Sequence, residues 1–509
     1  MPTLVSHFNQ SINKYSDKTA LIFGDTSISY ERLGEAVKRL ARALQNLGVE
    51  KGDCVAVMLP NLPHFPISYY AILEIGAVVV PLNFLSSTDL DYFLKDCNAK
   101  AIIAWSGFAD AVLSAKERLN SPLELIFLGS DIPQDTRSLT QLMQENEPIE
   151  YFEAAKENEL AAILYTAGIS GQPHGAEMEH IALVSNALLC KEMLNITDRD
   201  ISLGILPLYH PVAQTFSMNA TFFSGGTLVL LSRYTIVQLS QTLQTHAPTV
   251  MVAVPFIFQE LLKEAVAKTD SFKFSLCYGA TLPEEEALRF EQKFNTRVLP
   301  AYGFTEAGPF VSLQRYGDEP KPGSVGLPII GVELQIRDEK GNQLFPNKIG
   351  EIWVKSPGIM RGYHNRPKES ALYLKDGWMF SGDIGFLDME YNLYIKERQE
   401  EIISRGGFSV YPSEVEACFY RHIGVSDVAV VGVINSTMGS ELKAYVVLKP
   451  GQQVSKEELL NLCDALPAYM VPKHIEFVSS IPKTKTGRKL KRLLRSIAET
   501  AILQDKRKK

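Results

Sequence analysis

Apolar runs rich in β-branched residues alternate with segments of helical periodicity over roughly the first 300 residues of this chain. In the segment 30–47, for example, apolar side chains recur at helical spacing. Strands that are apolar throughout are buried on both faces, so they belong to parallel sheets with helices packed on each side. The predicted fold class is therefore α/β, and the clearest runs are 54–59, 101–105, 125–128, 160–164, 226–231, 249–254 and 274–278.

The pattern changes after about residue 320. Glycines at positions 323, 326, 331, 341 and 350 separate short alternating strands, which predicts a barrel-like β subdomain. A charged run at 396–405 precedes a segment with the pattern of a small α+β unit. Because 509 residues are too many for one hydrophobic core, we predict two domains, residues 1–398 and residues 399–509.

Composition argues against several classes of protein. The formal net charge of −7 disfavours a general nucleic-acid binder, whose affinity would depend on excess Lys and Arg. The six cysteines are widely spaced and the histidines form no His-x-x-x-His pair, so we expect neither a disulfide framework nor a zinc site. We expect no signal peptide at the amino terminus, and the apolar segment 69–82 is too short to span a bilayer. A cytoplasmic protein is predicted, with peripheral membrane contact left open.

A glycine-rich loop follows the apolar run 160–164. Its sequence is YTAGISGQPHGA (165–176), with three glycines and one proline. Glycines let backbone N–H groups approach a ligand closely, and successive amides form an anion-binding nest. The loop lacks the Gly-Lys-Ser/Thr ending of a Walker A motif. Taken by itself, it fits either a phosphate-binding loop or a simple Gly-rich surface connection.

This loop resembles the phosphate-binding loop of the adenylate-forming acyl-CoA synthetases, which is rich in Ser and Thr and ends Pro-Lys-Gly. In this sequence Ala167 and Ile169 replace hydroxyl residues, and His174 replaces the lysine. Because a histidine is mostly neutral near pH 7, it compensates phosphate charge less well than lysine does. The resemblance implies nucleotide contacts from Thr166, Gly168, Ser170, Gly171, His174 and Gly175.

A second motif, AYGFTE (301–306), resembles the family's Tyr-Gly-x-Thr-Glu segment. The resemblance implies that Tyr302 and Gly303 border adenine. It also implies that Thr305 binds a phosphate oxygen and that Glu306 ligates Mg²⁺. These roles suit the groups, because a flat ring stacks on a base and a carboxylate suits a hard cation that bridges phosphates.

Two further segments resemble walls of the family's active site. GATLP (279–283) resembles the strand end that borders adenine, which implies contacts from Gly279, Ala280 and Thr281. LPLYH (206–210) resembles the segment whose last residue lines the acid pocket, which implies that role for His210. A histidine that is buried and hydrogen-bonded in the core is the alternative interpretation of His210.

Ribose-binding and hinge positions follow near the predicted domain boundary. GWMFSGD (377–383) resembles a family segment whose aspartate accepts hydrogen bonds from the ribose, here Asp383. Arg398 stands at the ribose-contacting arginine, after a Glu where the family has Gly or Asp, and Glu400 stands at the hinge. GGFSVYPSEVE (406–416) resembles the segment that faces pantetheine during thioester formation, which implies that role for Gly406 and Gly407.

The last motif is IPKTKTGRKL (481–490), which resembles the family segment whose Thr-Gly-Lys lysine bridges the carboxylate and the α-phosphate during adenylation. Arg488 stands at that position, and its rigid guanidinium is not equivalent to a compact ammonium. Lys489 is adjacent, and a loop shift of one residue would present it instead. The basic residues that follow indicate a solvated helix face.

The motifs cover essentially residues 5–500 in the family's order. The resemblance implies a large N-terminal domain of two α/β subdomains plus a distorted β-barrel, with a small mobile α+β C-terminal domain. It implies an acid–thiol ligase that activates a small-molecule carboxylic acid, medium- or long-chain fatty by similarity, as acyl-AMP with ATP. The acyl group then passes to CoA or to the phosphopantetheine of an acyl carrier protein. The implied ligands are ATP/AMP, Mg²⁺ and coenzyme A.

Two alternatives to a complete CoA ligase stay open. His174 and Arg488 replace groups that stabilise charge on the phosphates, where loss of one donor costs roughly 10²–10³ in rate. A family member defective in adenylation would only bind nucleotide and acyl ligand, or would form the thioester from acyl-AMP. The other alternative is an adenylating enzyme that loads an acyl carrier protein. The oligomeric state is open at this point.

Overall fold

The computed structural model describes residues 3–83, 89–119, 122–149, 155–166, 173–232, 235–263, 266, 268–405, 408–435, 439–464, 466–483 and 489–507. The strands within these residues are β1 (Thr19–Phe23), β2 (Thr26–Ser29), β3 (Cys54–Met58), β4 (Val78–Pro81), β5 (Ala101–Trp105), β6 (Glu124–Leu128), β7 (Arg137–Ser138), β8 (Leu160–Thr166), β9 (His174–Glu179), β10 (Ile201–Gly204), β11 (Thr227–Leu230), β12 (Val250–Ala253), β13 (Phe274–Tyr278), β14 (Val298–Tyr302), β15 (Ser312–Leu313), β16 (Leu327–Pro328), β17 (Glu333–Arg337), β18 (Gly350–Lys355), β19 (Gly362–Tyr363), β20 (Leu374–Lys375), β21 (Trp378–Leu387), β22 (Leu393–Arg398), β23 (Ile403–Arg405), β24 (Phe408–Val410), β25 (Val425–Asn435), β26 (Gly439–Leu448) and β27 (His474–Phe477).

The α-helices are α1 (Leu4–Lys14), α2 (Tyr30–Asn46), α3 (His64–Glu74), α4 (Leu90–Asp96), α5 (Ala109–Arg118), α6 (Leu139–Glu145), α7 (His180–Met193), α8 (Thr221–Ser224), α9 (Ile236–His246), α10 (Pro255–Leu261), α11 (Glu284–Phe294), α12 (Pro367–Tyr373), α13 (Pro412–Tyr420), α14 (Lys456–Asn461) and α15 (Lys491–Arg507). A π-helix (Ala213–Ala220) precedes α8. Short 3-10 helices lie in the loops at Ser106–Phe108, Thr305–Ala307, Gln399–Glu401 and Ala468–Met470.

The chain divides into two compact units. The first comprises Met1–Leu334 with Val354–Met379, and the second comprises Gln335–Trp353 with Phe380–Lys509. The division between residues 398 and 399 that the sequence suggested stays a prediction.

The first unit contains a nine-stranded sheet in the order β16-β15-β14-β13-β12-β10-β11-β1-β2. Its strands from β14 to β1 pair in parallel, and antiparallel pairs occur only at its two ends among the described residues. Every residue of β12 and β13 is buried. Such completely buried strands fit the interior of a sheet that helices cover on both faces, which is what the sequence predicted.

A second sheet of the first unit has the order β19-β9-β8-β4-β3-β5-β6-β7. The strands from β8 to β7 are parallel, whereas β8 and β9 form an antiparallel hairpin and β19 extends it. The glycine-rich loop connects the two strands of this hairpin, with Thr166 opposite His174 where the pairing ends. The two sheets confirm the predicted pair of α/β subdomains.

Helix α2 illustrates how the sequence sets these elements. The Ser29 hydroxyl accepts a hydrogen bond from the Arg32 amide and caps the helix start. The apolar side of the helix, which includes Val37, Leu40 and Leu44, is buried. The predicted 3.6-residue period therefore corresponds to the face that packs in the core.

A third sheet occupies positions 333–398. It has the order β17-β18-β21-β20, with β22 paired to β21. Strands β21 and β22 are antiparallel, and Asp383 lies opposite Arg398 in their register. This sheet forms the half-barrel that the short, glycine-separated strands predicted.

The C-terminal part of the second unit is α+β, as predicted. Strands β25, β26 and β27 form a three-stranded sheet, and β23 and β24 form a separate ribbon. One face of the sheet packs in a core with residues of α13 and α14, including Phe419 and Leu459. The other face packs against α15 through Leu494 and Ala498. Helices therefore cover both faces of this small sheet.

Candidate active site

Glu306 is the centre of a side-chain cluster in the first unit. It lies in the 3-10 helix Thr305–Ala307, which follows the end of β14. Its Oε1 accepts hydrogen bonds from the Thr166 hydroxyl at 3.0 Å and from the Tyr363 hydroxyl at 2.9 Å. Burial and the negative charge of Glu306 raise the pKa of Tyr363, so this phenol stays protonated and acts as a donor. The structure thus brings together two of the predicted motifs and a tyrosine that the sequence did not single out.

The geometry of Glu306 suits a nucleotide-bound cation. Within the described part of the chain, no donor binds its Oε2. No group of three or more His, Cys, Asp or Glu side chains is placed to hold a metal ion among those same residues. A cation at Glu306 would therefore take one protein oxygen and complete its shell with phosphates and water. Mg²⁺ adopts that pattern in nucleotide sites.

His174 lies beside this cluster. It stands opposite Thr166 in the hairpin, and its ring lies edge-on to Tyr363 with centroids 5.2 Å apart. The neighbouring Gly175 is buried, and a Cβ there would meet the Ile163 side chain at 2.6 Å. Close packing therefore requires glycine at 175 independently of any ligand.

The strand ends predicted to border adenine lie side by side. Strands β13 and β14 are parallel neighbours, with Tyr278 opposite Ala301, and the predicted residues follow immediately at the carboxyl end of each. Ligands of parallel α/β sheets bind outside the carboxyl ends of the strands. The residues at this edge are Gly279, Ala280, Thr281, Tyr302 and Gly303.

The two glycines at this edge are required for different reasons. A Cβ on Gly303 would lie 1.9 Å from the Pro309 carbonyl oxygen, so no larger residue fits. Gly279 has space around it but adopts a φ of +86°, a conformation that other residues rarely adopt.

His210 is half-buried at the end of the segment 206–210. Burial lowers its pKa to about 4, so the imidazole is neutral near pH 7. The Val212 amide donates to His210 Nδ1 at 3.3 Å, which places the proton of the neutral ring on Nε2. Because the residue is only half-buried and Nε2 is not bonded within the described residues, the geometry favours a lining role over a core role.

Asn61 fixes the segment that carries His210. Its buried side-chain amide donates to the carbonyls of Gly204 and Leu206 at 3.1 and 2.9 Å, and its Oδ1 accepts from the Leu208 amide at 2.8 Å. These three bonds hold the backbone at the end of β10 and in the segment that follows it. No local pattern identifies Asn61, because its partners lie more than 140 residues away in the chain.

In the second unit, Asp383 and Arg398 are cross-strand partners. Arg398 Nε lies 3.7 Å from Asp383 Oδ1. The Asp383 amide donates to the Ser381 hydroxyl, and Gly382 adopts a φ of +78° between them. A buried carboxylate next to an arginine is thus held at a tight turn, an arrangement that can accept from and donate to neighbouring hydroxyl groups.

The predicted hinge residue Glu400 lies in the 3-10 helix Gln399–Glu401, directly after β22. Just before it, the buried Glu397 accepts a 2.8 Å hydrogen bond from the Ser413 amide at the start of α13. Burial raises the pKa of Glu397 to about 7, although Lys491 opposes this shift.

Lys491 joins three carboxylates in the second unit. Its ammonium is 3.0 Å from Glu416 Oε1, 3.1 Å from Glu401 Oε2 and 3.7 Å from Glu397 Oε2. The lysine is only 6% exposed. The prediction of a solvated basic face is therefore wrong at this position, because three acidic side chains compensate the buried charge.

Lys489 is also held by acidic partners. Its ammonium lies 3.3 Å from Glu416 Oε2, 3.4 Å from Asp427 Oδ1 and 3.0 Å from the Tyr420 hydroxyl, and it donates to the Val428 carbonyl. Burial disfavours its charged form, but Glu416 and Asp427 outweigh burial and raise its pKa. Presenting Lys489 to a nucleotide would require all these contacts to break.

Several predicted residues lie outside the described residues. They are Gly168, Ser170 and Gly171 of the glycine-rich loop, with Ala167 and Ile169, the pair Gly406 and Gly407, and Arg488.

No helix in the described ranges is both long enough and apolar enough to cross a membrane.

Comparison with known proteins gives matches along nearly the whole chain. The family profile described as "AMP-binding enzyme" matches residues 8–364, and the profile "AMP-binding enzyme C-terminal domain" matches residues 414–488. The chain is 33% identical to a long-chain-fatty-acid–CoA ligase of Bacillus subtilis (strain 168), a match that covers 97% of this chain and 94% of the relative. It is 32% identical to a feruloyl-CoA synthase of Amycolatopsis sp, covering 93% and 94%, respectively.

Solved structures are similar over the same extent. ATP-bound MatB from Rhodopseudomonas palustris has a TM-score of 0.90 at 27% identity, with 97% of this chain and 98% of that chain covered. The o-succinylbenzoate CoA synthetase MenE from Bacillus subtilis, in complex with its acyl-adenylate intermediate, has a TM-score of 0.86 at 27% identity, with the same coverage.

These matches confirm the family that the motifs predicted, and with it the predicted enzyme class of ATP-dependent acyl-CoA synthetase-like ligase. The chain therefore belongs to the AMP-binding enzyme family, as an adenylate-forming acyl-CoA synthetase.

Proposed function

We propose that this protein joins a medium- or long-chain fatty acid to CoA in two steps. In the first step a carboxylate oxygen attacks the α-phosphorus of ATP, the bond to the β-phosphate breaks, and acyl-AMP and pyrophosphate form. In the second step the CoA thiol loses its proton and attacks the acyl carbon, so the thioester forms and AMP leaves. The choice of a fatty acid is supported by the identity of 33% to the long-chain-fatty-acid–CoA ligase of Bacillus subtilis.

The observation that carries this proposal is the junction of Thr166, Glu306 and Tyr363. Two donors hold Oε1 of Glu306, which leaves Oε2 as the oxygen that would bind Mg²⁺. The ion would neutralise phosphate charge when it is bound. Thr305 directly precedes Glu306 and would donate to a phosphate oxygen, whereas the Thr166 hydroxyl is already used as a donor to Glu306 and would keep that carboxylate in place. Preorganised donors of this kind stabilise the charge that develops on the phosphates during adenylation.

The remaining groups would position adenosine and the acid. Tyr302 would stack on adenine at the edge formed by β13 and β14, and Asp383 and Arg398 would bind the ribose hydroxyls. His210 would donate from Nε2 to an oxygen of the acyl group, because Nδ1 already accepts from the Val212 amide. As a neutral ring it adds no charge beside the incoming carboxylate.

We further propose that the chain pivots at Glu400 between the two steps. The pivot would exchange Arg488, which acts in adenylation, for the Gly406–Gly407 segment, where pantetheine passes near the backbone. Residues at the end of a secondary-structure element commonly absorb such rotations, and Glu400 directly follows β22.

A second candidate function is thioester formation without efficient adenylation. Two observations favour it. His174 replaces the loop lysine, and the contacts of Lys489 with Glu416 and Tyr420 oppose its use in place of the catalytic lysine of the family. Such a protein would accept acyl-AMP and transfer its acyl group to CoA. An enzyme that loads an acyl carrier protein would share every group discussed so far and would differ only in the thiol acceptor.

One pair of assays separates these functions. Pyrophosphate release is measured with ATP, Mg²⁺ and fatty acids of increasing chain length, beside thioester formation from synthetic acyl-AMP and CoA. Activity in both assays supports the complete ligase. Activity only with acyl-AMP supports the second candidate, and activity in neither contradicts both. A faster reaction with a carrier protein than with CoA identifies the third function.

A further inference from the structure

Tyr165 immediately precedes Thr166, and its hydroxyl is fixed to helix α4. It donates to Asp96 Oδ2 at 2.9 Å, while its ring packs edge-on against Phe93 with centroids 4.8 Å apart. The position of Thr166, and with it the hydrogen bond to Glu306, therefore depends on a contact with α4.

The other strand of the hairpin is fixed to the same helix. The Tyr92 hydroxyl donates to the Pro173 carbonyl at 2.6 Å, directly before His174. Tyr92 and Asp96 are four residues apart in α4 and therefore lie on one helix face. One turn of helix thus holds the chain both before Thr166 and before His174.

Arg366 connects the two contacts. Its guanidinium lies 3.1 Å from Asp96 Oδ1 and 3.5 Å from the Tyr92 hydroxyl. The Asp96 side chain is only 7% exposed, so its two oxygens are shared between Tyr165 and Arg366 in a largely desolvated place. Charge-assisted hydrogen bonds are the stronger ones, and here they fix three separate chain segments together.

We propose that Tyr92, Asp96, Tyr165 and Arg366 form a clamp that positions Thr166 and His174 for the outer phosphates of ATP. The inference rests on the proposed function, since it assigns this clamp to the phosphate side of that site. The clamp contacts no reacting atom. It acts by holding Thr166, with its hydrogen bond to Glu306, and the His174 side chain in place before ATP binds, so that less ordering accompanies binding.

The test compares the binding of MgATP and AMP, because AMP lacks the outer phosphates. Calorimetry is carried out on the full chain without acid, for the wild type and for Tyr92→Phe. Loss of one hydrogen bond is expected to weaken MgATP binding about fivefold, while AMP binding stays at the wild-type value. Arg366→Met, which removes the charged partner, is expected to weaken MgATP binding about tenfold or more, again without a change for AMP.

Tyr30→Phe is the matched control. The Tyr30 hydroxyl also donates to a backbone carbonyl, that of Gly226, at 2.7 Å, but Tyr30 begins α2 and Gly226 directly precedes β11 of the nine-stranded sheet. Tyr30→Phe should bind both nucleotides like the wild type even where it lowers the melting temperature as much as Tyr92→Phe. If MgATP binding weakens relative to AMP binding only in Tyr92→Phe and Arg366→Met, the effect comes from positioning and not from a general loss of stability.

Three results would overturn the clamp. They are wild-type MgATP affinity in both Tyr92→Phe and Arg366→Met, equal losses of MgATP and AMP affinity, or an equal effect of Tyr30→Phe. A wild-type protein that binds neither nucleotide overturns the proposed function itself and the clamp with it. The two failures are therefore distinguishable in one data set.

Discussion

Thr166 and Glu306 are 140 residues apart in the chain, and the Thr166 hydroxyl donates a 3.0 Å hydrogen bond to the Glu306 carboxylate. Thr166 ends the first strand of the hairpin, and Glu306 follows the last parallel strand of the other sheet. The bond therefore joins the two α/β sheets of the first unit at their functional ends. Through this bond, the glycine-rich segment orients the carboxylate of the segment 301–306.

Replacing the Glu306 carboxylate is expected to impair adenylation selectively. In Glu306→Gln the charge that would bind Mg²⁺ is lost, while an oxygen remains to accept from Thr166 and Tyr363. We expect pyrophosphate release to fall by roughly 10²–10³ and thioester formation from acyl-AMP to fall much less. Glu285→Gln, an exposed first-turn residue of α11, is a control that should leave both rates unchanged. Equal losses in the two half-reactions would contradict the assigned role.

Restoring lysines should increase adenylation. Because His174 and Arg488 stand where the family has lysine, we expect the double variant His174→Lys/Arg488→Lys to release pyrophosphate faster than the wild type. The gain should be several-fold and larger than that of His174→Lys alone. The measurement is initial-rate pyrophosphate release with saturating fatty acid. No gain in the double variant would mean that these positions do not limit adenylation.

Lys489 is expected to stabilise the second unit. In Lys489→Met, the side chains of Glu416 and Asp427 lose a partner in a mostly buried place, which should cost about 3 kcal/mol of local stability. Hydrogen exchange of the β25 and β26 amides measures this cost. Lys483→Met is the control, because Lys483 also pairs with Asp427 but is 42% exposed, so its loss should cost less than about 1 kcal/mol. Similar exchange rates in the two variants would show that burial of the Lys489 pairs is unimportant.

Glu397 should make the stability of the second unit depend on pH. Its pKa is about 7 in the folded protein, whereas an unfolded Glu has a pKa near 4.3. Between these values only the folded state binds the proton, so stability falls as pH rises from about 4.5 to 7 and is constant above that range. The expected loss is on the order of 3 kcal/mol.

Hydrogen exchange of the α13 amides, corrected for the intrinsic effect of pH, measures this dependence. Glu397→Gln should remove it while keeping an oxygen for the Ser413 amide. Glu457→Gln, an exposed first-turn residue of α14, should keep the wild-type dependence. If stability still falls between pH 4.5 and 7 in Glu397→Gln, the pH dependence arises from another group.

The spacing of apolar residues predicted the strands and helices well. A strand buried on both faces consists of a continuous apolar run, and a helix buried on one face has apolar residues at helical spacing. The apolar run 274–278 coincides with β13, and the run 249–254 contains β12 (Val250–Ala253). The α+β character of the C-terminal segment was equally visible. In each case the pattern reflects local geometry, in which side chains repeat every 2 or 3.6 residues.

The partners of the site residues could not be predicted in the same way. Tyr363 meets Glu306 only because β19 pairs with β9, and a single tyrosine after a glycine carries no periodic signal. Asn61 and Lys491 are similar, since their partners come from distant segments. Motif resemblance therefore identified the groups predicted to contact ligand, whereas the groups that orient them required the tertiary structure.

The occupation of one Glu306 oxygen by two hydroxyl donors has a consequence for the order of binding. Among the described residues, Glu306 would offer a divalent ion a single free oxygen, and such a site retains an ion poorly, so on the proposed function the nucleotide would deliver the ion. Saturation of the site should then follow the concentration of the preformed MgATP complex. Free Mg²⁺ added without nucleotide should bind the protein only weakly.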